Sequence, residues 1–321
     1  MVEFGFETTG DEVVATFKEH IRGKTILITG PSWGSVGSET VITLAKGSPA
    51  MFVLLGRDLD KIQPVIDKIH ELDSSIETKF VEIHLDSLKS VRKAAQHILE
   101  DETIPAIDIL INNAGIMACP YSKTEDGIER QFATNHIGHF LLTNLLVPKL
   151  VTTDKSASAR VVNISSYGNV LSDVFDDPTF NDGKEYNPFL AYGQSKTANI
   201  LMAVGLNDRL GKKGLTAFAV DPGSVPTNLH RFLTPEILKE SMAVASQTGI
   251  MMPQTKTPEQ GCSTSIRAAI DPTLSVDKGI YLTDTQVTSD PKWVAPYALD
   301  KTNADRCWKL SEALVGQEFV Y

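Results

Sequence analysis

Short runs of apolar residues alternate along the first two-thirds of the chain with longer stretches whose apolar positions recur every three or four residues. The runs Lys24–Thr29, Met51–Leu55, Lys79–Ile83, Ile107–Ile111, Arg160–Ile164 and Leu215–Val220 read as strands. Between them, Glu39–Lys46, Leu59–Leu72, Ser87–Glu100, Gly127–Leu150 and Leu190–Leu210 read as helices. Strands that are apolar throughout, each followed by a helical stretch, are the pattern of a parallel sheet buried on both faces. The expected class is therefore α/β, a doubly wound parallel sheet in three α/β/α layers. No Pro/Gly/Ser-rich linker divides the 321 residues, so residues 1–321 are expected to form a single domain. Gly183–Pro188 and Pro253–Pro258 read as surface loops.

The first strand runs into Thr29-Gly30-Pro31-Ser32-Trp33-Gly34-Ser35-Val36-Gly37, and a helix follows. Glycines here let the backbone turn sharply and approach a pyrophosphate, while the helix N-terminus offers free N–H groups and a positive dipole end. A glycine cluster can be an ordinary turn, but its place between the first strand and a helix reads as a nucleotide-binding corner, with Gly30, Ser32, Gly34, Val36 and Gly37 as candidate contacts. No GxxxxGK[ST] run is present, which disfavours a nucleotide triphosphatase. At the end of the second strand Gly56 stands where an NAD enzyme places an acid, and Arg57 follows. An arginine there suits the 2′-phosphate of NADP, with Asp58 offsetting part of its field.

Further along, Asp86 follows the third strand, and Asn112-Asn113-Ala114-Gly115 ends the fourth. Asn135 lies in the long helix, Ser165-Ser166 end the fifth strand, and Tyr192-Gly193-Gln194-Ser195-Lys196 lies at the start of the next helix. Asp221-Pro222-Gly223, Val225 and Thr227 follow the sixth strand. Residues four apart on a helix share a face, so Tyr192 and Lys196 point the same way. An ammonium near a phenol favours the phenolate and brings a tyrosine toward useful acid-base range. The same YxxxK spacing recurs at Tyr297–Lys301, without such neighbours, and reads as structural.

In order and over nearly its whole length, this set resembles the short-chain dehydrogenase/reductase family. The nearest likeness is its retinol-dehydrogenase-like branch, filamentous-fungal members included. Thr257-Pro258-Glu259-Gln260-Gly261, Gly279-Ile280-Tyr281-Leu282 and Trp308-Lys309-Leu310-Ser311 carry that finer likeness. The glycines at 30, 34 and 37 make a loop one residue longer than the family's TGxxxGxG. The resemblance implies a Rossmann fold, NADP(H) or NAD(H) as cofactor, and Asn135, Ser166, Tyr192 and Lys196 as catalytic residues. It also implies that Ser166 holds the substrate oxygen, that Lys196 holds the nicotinamide ribose, and that Asn135 supports a water relaying protons. Asn113, Ala114 and Gly115 would shape the floor under the adenosine ribose. Asp86 would contact the adenine or cap the next helix. Pro222, Gly223, Val225 and Thr227 would approach the nicotinamide carboxamide and the phosphates.

A net charge of −10 argues against a nucleic-acid partner. Cys119, Cys262 and Cys307 show no metal or CxxC spacing and read as reduced thiols, which fits a reducing, cytoplasmic setting. His136 and His139 read as packing or surface residues, with no metal implied. No apolar stretch approaches the roughly 20 residues of a membrane span. Residues 224–256 would cover the crevice beyond the strands. There Leu229, Phe232, Leu233, Ile237, Leu238, Met242, Val244, Ile250, Met251 and Met252 suggest a lipophilic substrate. The plainer alternative is an amphipathic helix over Pro235–Ala245 packed on the core. The expected activity is hydride transfer between NADP(H) and a ketone or aldehyde, or the matching secondary alcohol, in the reductive direction. A cofactor-binding redox sensor and a nucleotide-sugar epimerase or dehydratase stay open as rivals. So does the choice between monomer and homodimer, with residues Asp173–Pro188 placed to cover the family's dimer-forming helices.

Overall fold

The inner strands of the sheet are short and apolar, whereas the edge strands Glu77–Glu82 and Gln286–Val287 are mixed. The structure, a computed structural model, describes residues 3–151, 158–173, 177–235, 237 and 254–321. The strands are β1 (Thr25–Thr29), β2 (Met51–Gly56), β3 (Glu77–Glu82), β4 (Ile109–Asn112), β5 (Ala159–Ile164), β6 (Leu215–Val220), β7 (Tyr281–Thr283) and β8 (Gln286–Val287). They form one sheet in the order β3-β2-β1-β4-β5-β6-β7-β8, parallel except for the last pair. The order reverses between β1 and β4, which opens a crevice beyond their carboxyl ends, the usual ligand position in such sheets.

Alternate side chains on each strand enter different cores. Leu27, Val53, Leu55, Leu110 and Val161 lie in one cluster, and Ile26, Ile28, Phe52, Leu54 and Val162 in the other. Both faces of the inner strands are thus dry, which is why β1, β2, β4, β5 and β6 read as mostly apolar runs. The first layer is covered by α4 (Leu88–Glu100), α5, α7 (Pro188–Leu210) and α9 (Lys301–Val315). The second is covered by α1 (Gly10–Phe17), α2 (Val36–Ala45), α3 (Gln63–Leu72) and α8 (Pro258–Ile270). Here α5 comprises the segments Arg130–Phe132 and Gly138–Leu145 on either side of a π-helical turn, Ala133–Ile137, and a short helix α6 (Val147–Leu150) follows.

The expected helix Gly127–Leu150 is therefore shorter and interrupted. Gly127 sits at φ +79°, and the Glu129 carboxylate accepts the N–H groups of Gln131 and Phe132, so the helix starts at Arg130. Leu59–Leu72 likewise splits into a 3₁₀ turn, Leu59–Lys61, and α3, whose second residue is Pro64. Pro188 and Pro258, expected in loops, are the first residues of α7 and α8, as suits proline's fixed φ.

α7 is buried along nearly its whole length, from Ala191 to Leu206. α9 lies against it: a Cβ at Gly205 would come 2.8 Å from Trp308, over which the Arg209 guanidinium stacks at 4.3 Å. The described part of Asp173–Pro188 is organised around Tyr186. Phe180 packs on Tyr186, whose ring meets Tyr121 and whose hydroxyl donates to Cys119 O at 2.9 Å. That segment, of which residues 174–176 lie outside the described residues, braces the chain between β4 and α5, with Tyr186 Oη and Pro188 O both accepting from Gln131 Nε2.

Candidate active site

The glycine-rich corner folds as a tight turn leading into α2. Ser35 N–H closes it on Ser32 O at 3.1 Å, with Gly34 in the left-handed region at φ +76°. Ser35 then caps α2: its hydroxyl accepts Ser38 N–H at 3.1 Å, and Ser38 Oγ accepts Ser35 N–H at 3.0 Å. The turn is pinned outward by Trp33 N–H on Lys61 O at 2.9 Å, leaving Trp33 53% exposed. The glycines divide the work. A Cβ at Gly37 would come 2.4 Å from Asn113 Nδ2, and one at Gly30 would come 2.8 Å from Ala114 Cβ, whereas one at Gly34 would meet nothing within 4 Å. Gly30 and Gly37 thus let β1, α2 and the Asn113–Gly115 turn close together, and Gly34 leaves open space before the helix N-terminus. Ser32 and Val36 flank it, half-buried.

A buried hub joins this corner to α5. Thr29 Oγ1 accepts N–H groups from Asn113 and Ala114, both at 3.0 Å, and lies 2.8 Å from His139 Nε2. His139 Nδ1 lies 2.9 Å from Asn135 O and must donate to it, so Nε2 is the acceptor for the threonine hydroxyl. Burial holds His139 down to about 4 and His136 down to about 3. Both are neutral interior residues, not surface ones, and His139 takes part in the site's framework. Asn135 stands in the π-helical turn, a distortion that often marks a functional position. Its side chain grips the backbone of Ile116, accepting N–H at 2.8 Å and donating to the carbonyl at 2.9 Å, and donates to Ser195 Oγ at 2.9 Å. A Cβ at Gly115 would lie 3.3 Å from Asn135 Oδ1 and 3.6 Å from Lys196 Nζ, so this turn lies directly against both side chains.

Tyr192 and Lys196 sit on one face of α7, the ammonium 5.4 Å from the ring centroid. The Tyr192 hydroxyl and Ser166 Oγ are hydrogen-bonded, and Ser166 Oγ also accepts Gly168 N–H at 3.1 Å. Gly168 lets them converge: a Cβ there would lie 3.2 Å from the Tyr192 ring and 3.6 Å from Ser166 Oγ. Ser165 instead donates to Lys196 O at 2.8 Å, a structural bond. Lys196 Nζ donates to Ile164 O at 3.1 Å, and burial lowers its pKa to about 8, partly opposed by Asp221. Burial drives the Tyr192 phenol well above its ordinary value, outweighing the Ser166 bond. This reverses the expected direction of its shift, because the desolvated ring loses more by ionising than its neighbours return. Tyr297, with the same YxxxK spacing, donates to Asn169 O at 2.8 Å and is structural.

Asp221 had no role in the sequence reading. It is buried, with a raised carboxyl pKa caused first by desolvation. It accepts Gly223 N–H at 2.9 Å and a backbone N–H from Tyr167, and so ties the Ser166 turn to the turn after β6. In that turn Gly223 stands at φ +79°, Pro222 is half-buried, and Val225 packs where a Cβ at Gly261 would come within 2.5 Å of it. Thr227 Oγ1 accepts Leu229 N–H at 3.3 Å, capping a short 3₁₀ turn.

At the other end, Arg57 is exposed, and Asp58 is turned away, accepting Asp60 N–H at 3.0 Å. At Gly56 a Cβ would meet the tip of the Ile62 side chain, Cδ1 at 2.5 Å, which would have to shift to admit it. Asp86 lies beyond the end of β3, 3.5 Å from Arg130 Nη2, and Ser87, not Asp86, caps α4. Among the lid candidates, Leu229, Phe232, Leu233 and Ile237 are half-buried. Leu238, Met242, Val244, Ile250, Met251 and Met252, with most of Pro235–Ala245, lie outside the described residues.

A family model for short chain dehydrogenases matches residues 24–237, and the chain belongs to that family of oxidoreductases. Mouse retinol dehydrogenase 12 is 36% identical over 304 residues, covering 94% of this chain and 90% of the relative. The short-chain dehydrogenase/reductase prx1 of Penicillium roqueforti is 36% identical over 301 residues, covering 91% and 85%. Among solved structures, an uncharacterised protein from Mycobacterium paratuberculosis superposes with a TM-score of 0.69 at 30% identity, covering 94% and 96%. The retinol-dehydrogenase-like branch and its fungal relatives are thus where the chain falls.

Proposed function

We propose that this chain reduces lipophilic ketones or aldehydes with NADPH, the reverse alcohol oxidation being available to the same site. The carrying observation is the convergence of Ser166, Tyr192 and Lys196 beside the glycine corner. The family's nicotinamide cofactor fits the space before α2, where Gly34 leaves room, and it supplies the hydride. The Tyr192 hydroxyl gives its proton to the substrate oxygen, which becomes the alcohol O–H. Ser166 Oγ hydrogen-bonds the same oxygen and steadies the charge developing there. Lys196 faces Tyr192 across the ring and would hold the nicotinamide ribose. Asn135 holds Ile116 and Ser195 in place and leaves the proton route from Lys196 lined by fixed groups. A phenol whose pKa is raised by burial is kept in its donating form, which suits reduction.

NADP(H) rather than NAD(H) is supported by the exposed Arg57 and by Gly56, which offers no acid at the end of β2. A lipophilic substrate is supported by the half-buried Leu229, Phe232, Leu233 and Ile237, and by relatives named as retinol dehydrogenases. We take residues 1–321 as one domain and the chain as a monomer, because α9 occupies the α7 face a partner would need. The test is cofactor titration of wild type and Arg57→Ala. One charge-assisted phosphate contact contributes about 1.5–3 kcal/mol, so NADPH should weaken roughly tenfold to hundredfold and NADH hardly at all. Equal loss of both would contradict the assignment.

A further inference from the structure

The turn after β6 is braced from behind by a charged pair outside the site described above. Lys256 lies within Pro253–Pro258, which reads as a surface loop, yet its side chain is only 1% exposed. Its N–H donates to Ser224 O at 2.8 Å, and Thr255 forms a parallel bridge with Ser224, so both ends of residues 224–256 are closed together here. Its aliphatic stem runs along the turn: a Cβ at Gly223 would lie 2.9 Å from Lys256 Cδ and 3.1 Å from Cε. The ammonium ends 2.7 Å from Asp284 Oδ1 and 5.0 Å from the centre of the Phe6 ring.

Asp284 belongs to a rigid frame. It sits at φ +48° in the turn between β7 and β8, next to the fully buried Thr285. Thr285 is anchored on α8, donating its N–H to Thr264 Oγ1 at 3.1 Å and sharing a hydroxyl bond with Ser263 at 2.7 Å. A methionine or leucine would pack on Gly223 without the cost of desolvating an ammonium, so packing alone does not account for the charge. What the charge adds is direction, since the ion pair fixes where the stem lies and hence where Gly223 can sit.

We propose that Lys256, through its buried ion pair with Asp284, is a positioning residue that sets the turn Asp221–Thr227 against the nicotinamide end of the cofactor. The inference rests on the cofactor reading above. Gly223 is held between the Asp221 carboxylate on one side and the Lys256 stem on the other. Asp221 in turn holds the Tyr167 backbone, next to Ser166. Loss of the pair would therefore reach the nicotinamide end and the substrate-oxygen site, and leave the adenosine end, built on α2, Arg57 and the Asn113–Gly115 turn, untouched.

The experiment compares wild type, Lys256→Met, Asp284→Asn and the double variant by calorimetric titration with NADPH and with adenosine 2′,5′-bisphosphate. The second probe carries only the adenosine end. Lys256→Met should weaken NADPH about tenfold while the bisphosphate stays within about twofold. With 9,10-phenanthrenequinone as carbonyl probe, kcat/KM should fall about tenfold to hundredfold, the range that misplacement by about 1 Å produces. Asp284→Asn, at a half-buried and isosteric position, should show the same selective loss and carries the test if Lys256→Met folds poorly. The double variant should be no worse than Lys256→Met, since that change alone already removes the pair with Asp284. Unchanged NADPH binding in both single variants, or equal loss for the two probes, overturns the inference while leaving the function reading intact. A wild type that binds neither NADPH nor NADH overturns that reading, and this inference with it.

Discussion

At the scale of single residues, the chemistry is set by which groups the fold keeps from water. Tyr192 and Lys196 are both buried, and desolvation moves them in opposite directions, the phenol up and the ammonium down to about 8. In the free enzyme the two are a protonated donor and a cation that titrates within reach of ordinary pH. We expect kcat/KM for carbonyl reduction to be level below about pH 8 and to fall above it as Lys196 loses its charge. A pH profile of wild type against Lys196→Met checks this: the residual rate of the variant should lack that limb. The Thr29 hydroxyl is a second such point, since it serves two backbone N–H groups and His139 at once. Thr29→Val should cost about 1–3 kcal/mol, the desolvation of donors left without a partner, measured by denaturant unfolding. The histidines add an acid limit. With folded-state values of about 3 and 4 against 6.5, the unfolded chain binds more protons between these values. Stability therefore falls as pH drops below about 6.5 and is regained above it, which the thermal midpoint against pH will show.

Secondary-structure elements carried their signals unevenly. Strand cores were legible because both faces are dry, and β6 runs over the residues its apolar run predicts. Helix starts were less legible, because side-chain caps decide them. α2 begins at Val36 rather than Glu39 because Ser35 and Ser38 cap each other. The π-helical turn around Asn135 left no mark in the apolar period, and β7 and β8, three and two residues long, are too short to show one. Within the site, Tyr192 and Lys196 were readable because their relation is local to one helix. Lys256 was not, since its burial depends on β7 and β8 reaching the sheet edge and bringing Asp284 to it. Asp221 stood in a visible motif, but its bond to Tyr167 crosses from one strand end to another. The glycine corner yields a test at this scale. Gly37→Ala places a methyl 2.4 Å from Asn113 Nδ2 and should abolish cofactor binding, whereas Gly37 contributes no side chain of its own to lose.

Over the whole molecule, one sheet brings the ends of β1, β4, β5 and β6 to a single crevice, and helices fill both faces. α9 packs on α7 through Trp308, Gly205 and Arg209, and Ser311 lies 2.8 Å from His136 Nε2 on α5. The α5–α7 face is thereby used within the chain. Hydrodynamic mass should correspond to one 35.0 kDa chain, and a stable dimer would show that another surface associates. Among the described residues no helix is long and apolar enough to cross a membrane. The most direct test of the central claim is NADPH oxidation by Tyr192→Phe against wild type, with a bulky aromatic ketone as substrate and NADPH affinity measured in parallel. Removing the proton donor should lower kcat by about a hundredfold or more while NADPH affinity stays close to wild type. A variant that keeps most of the wild-type kcat would contradict the account.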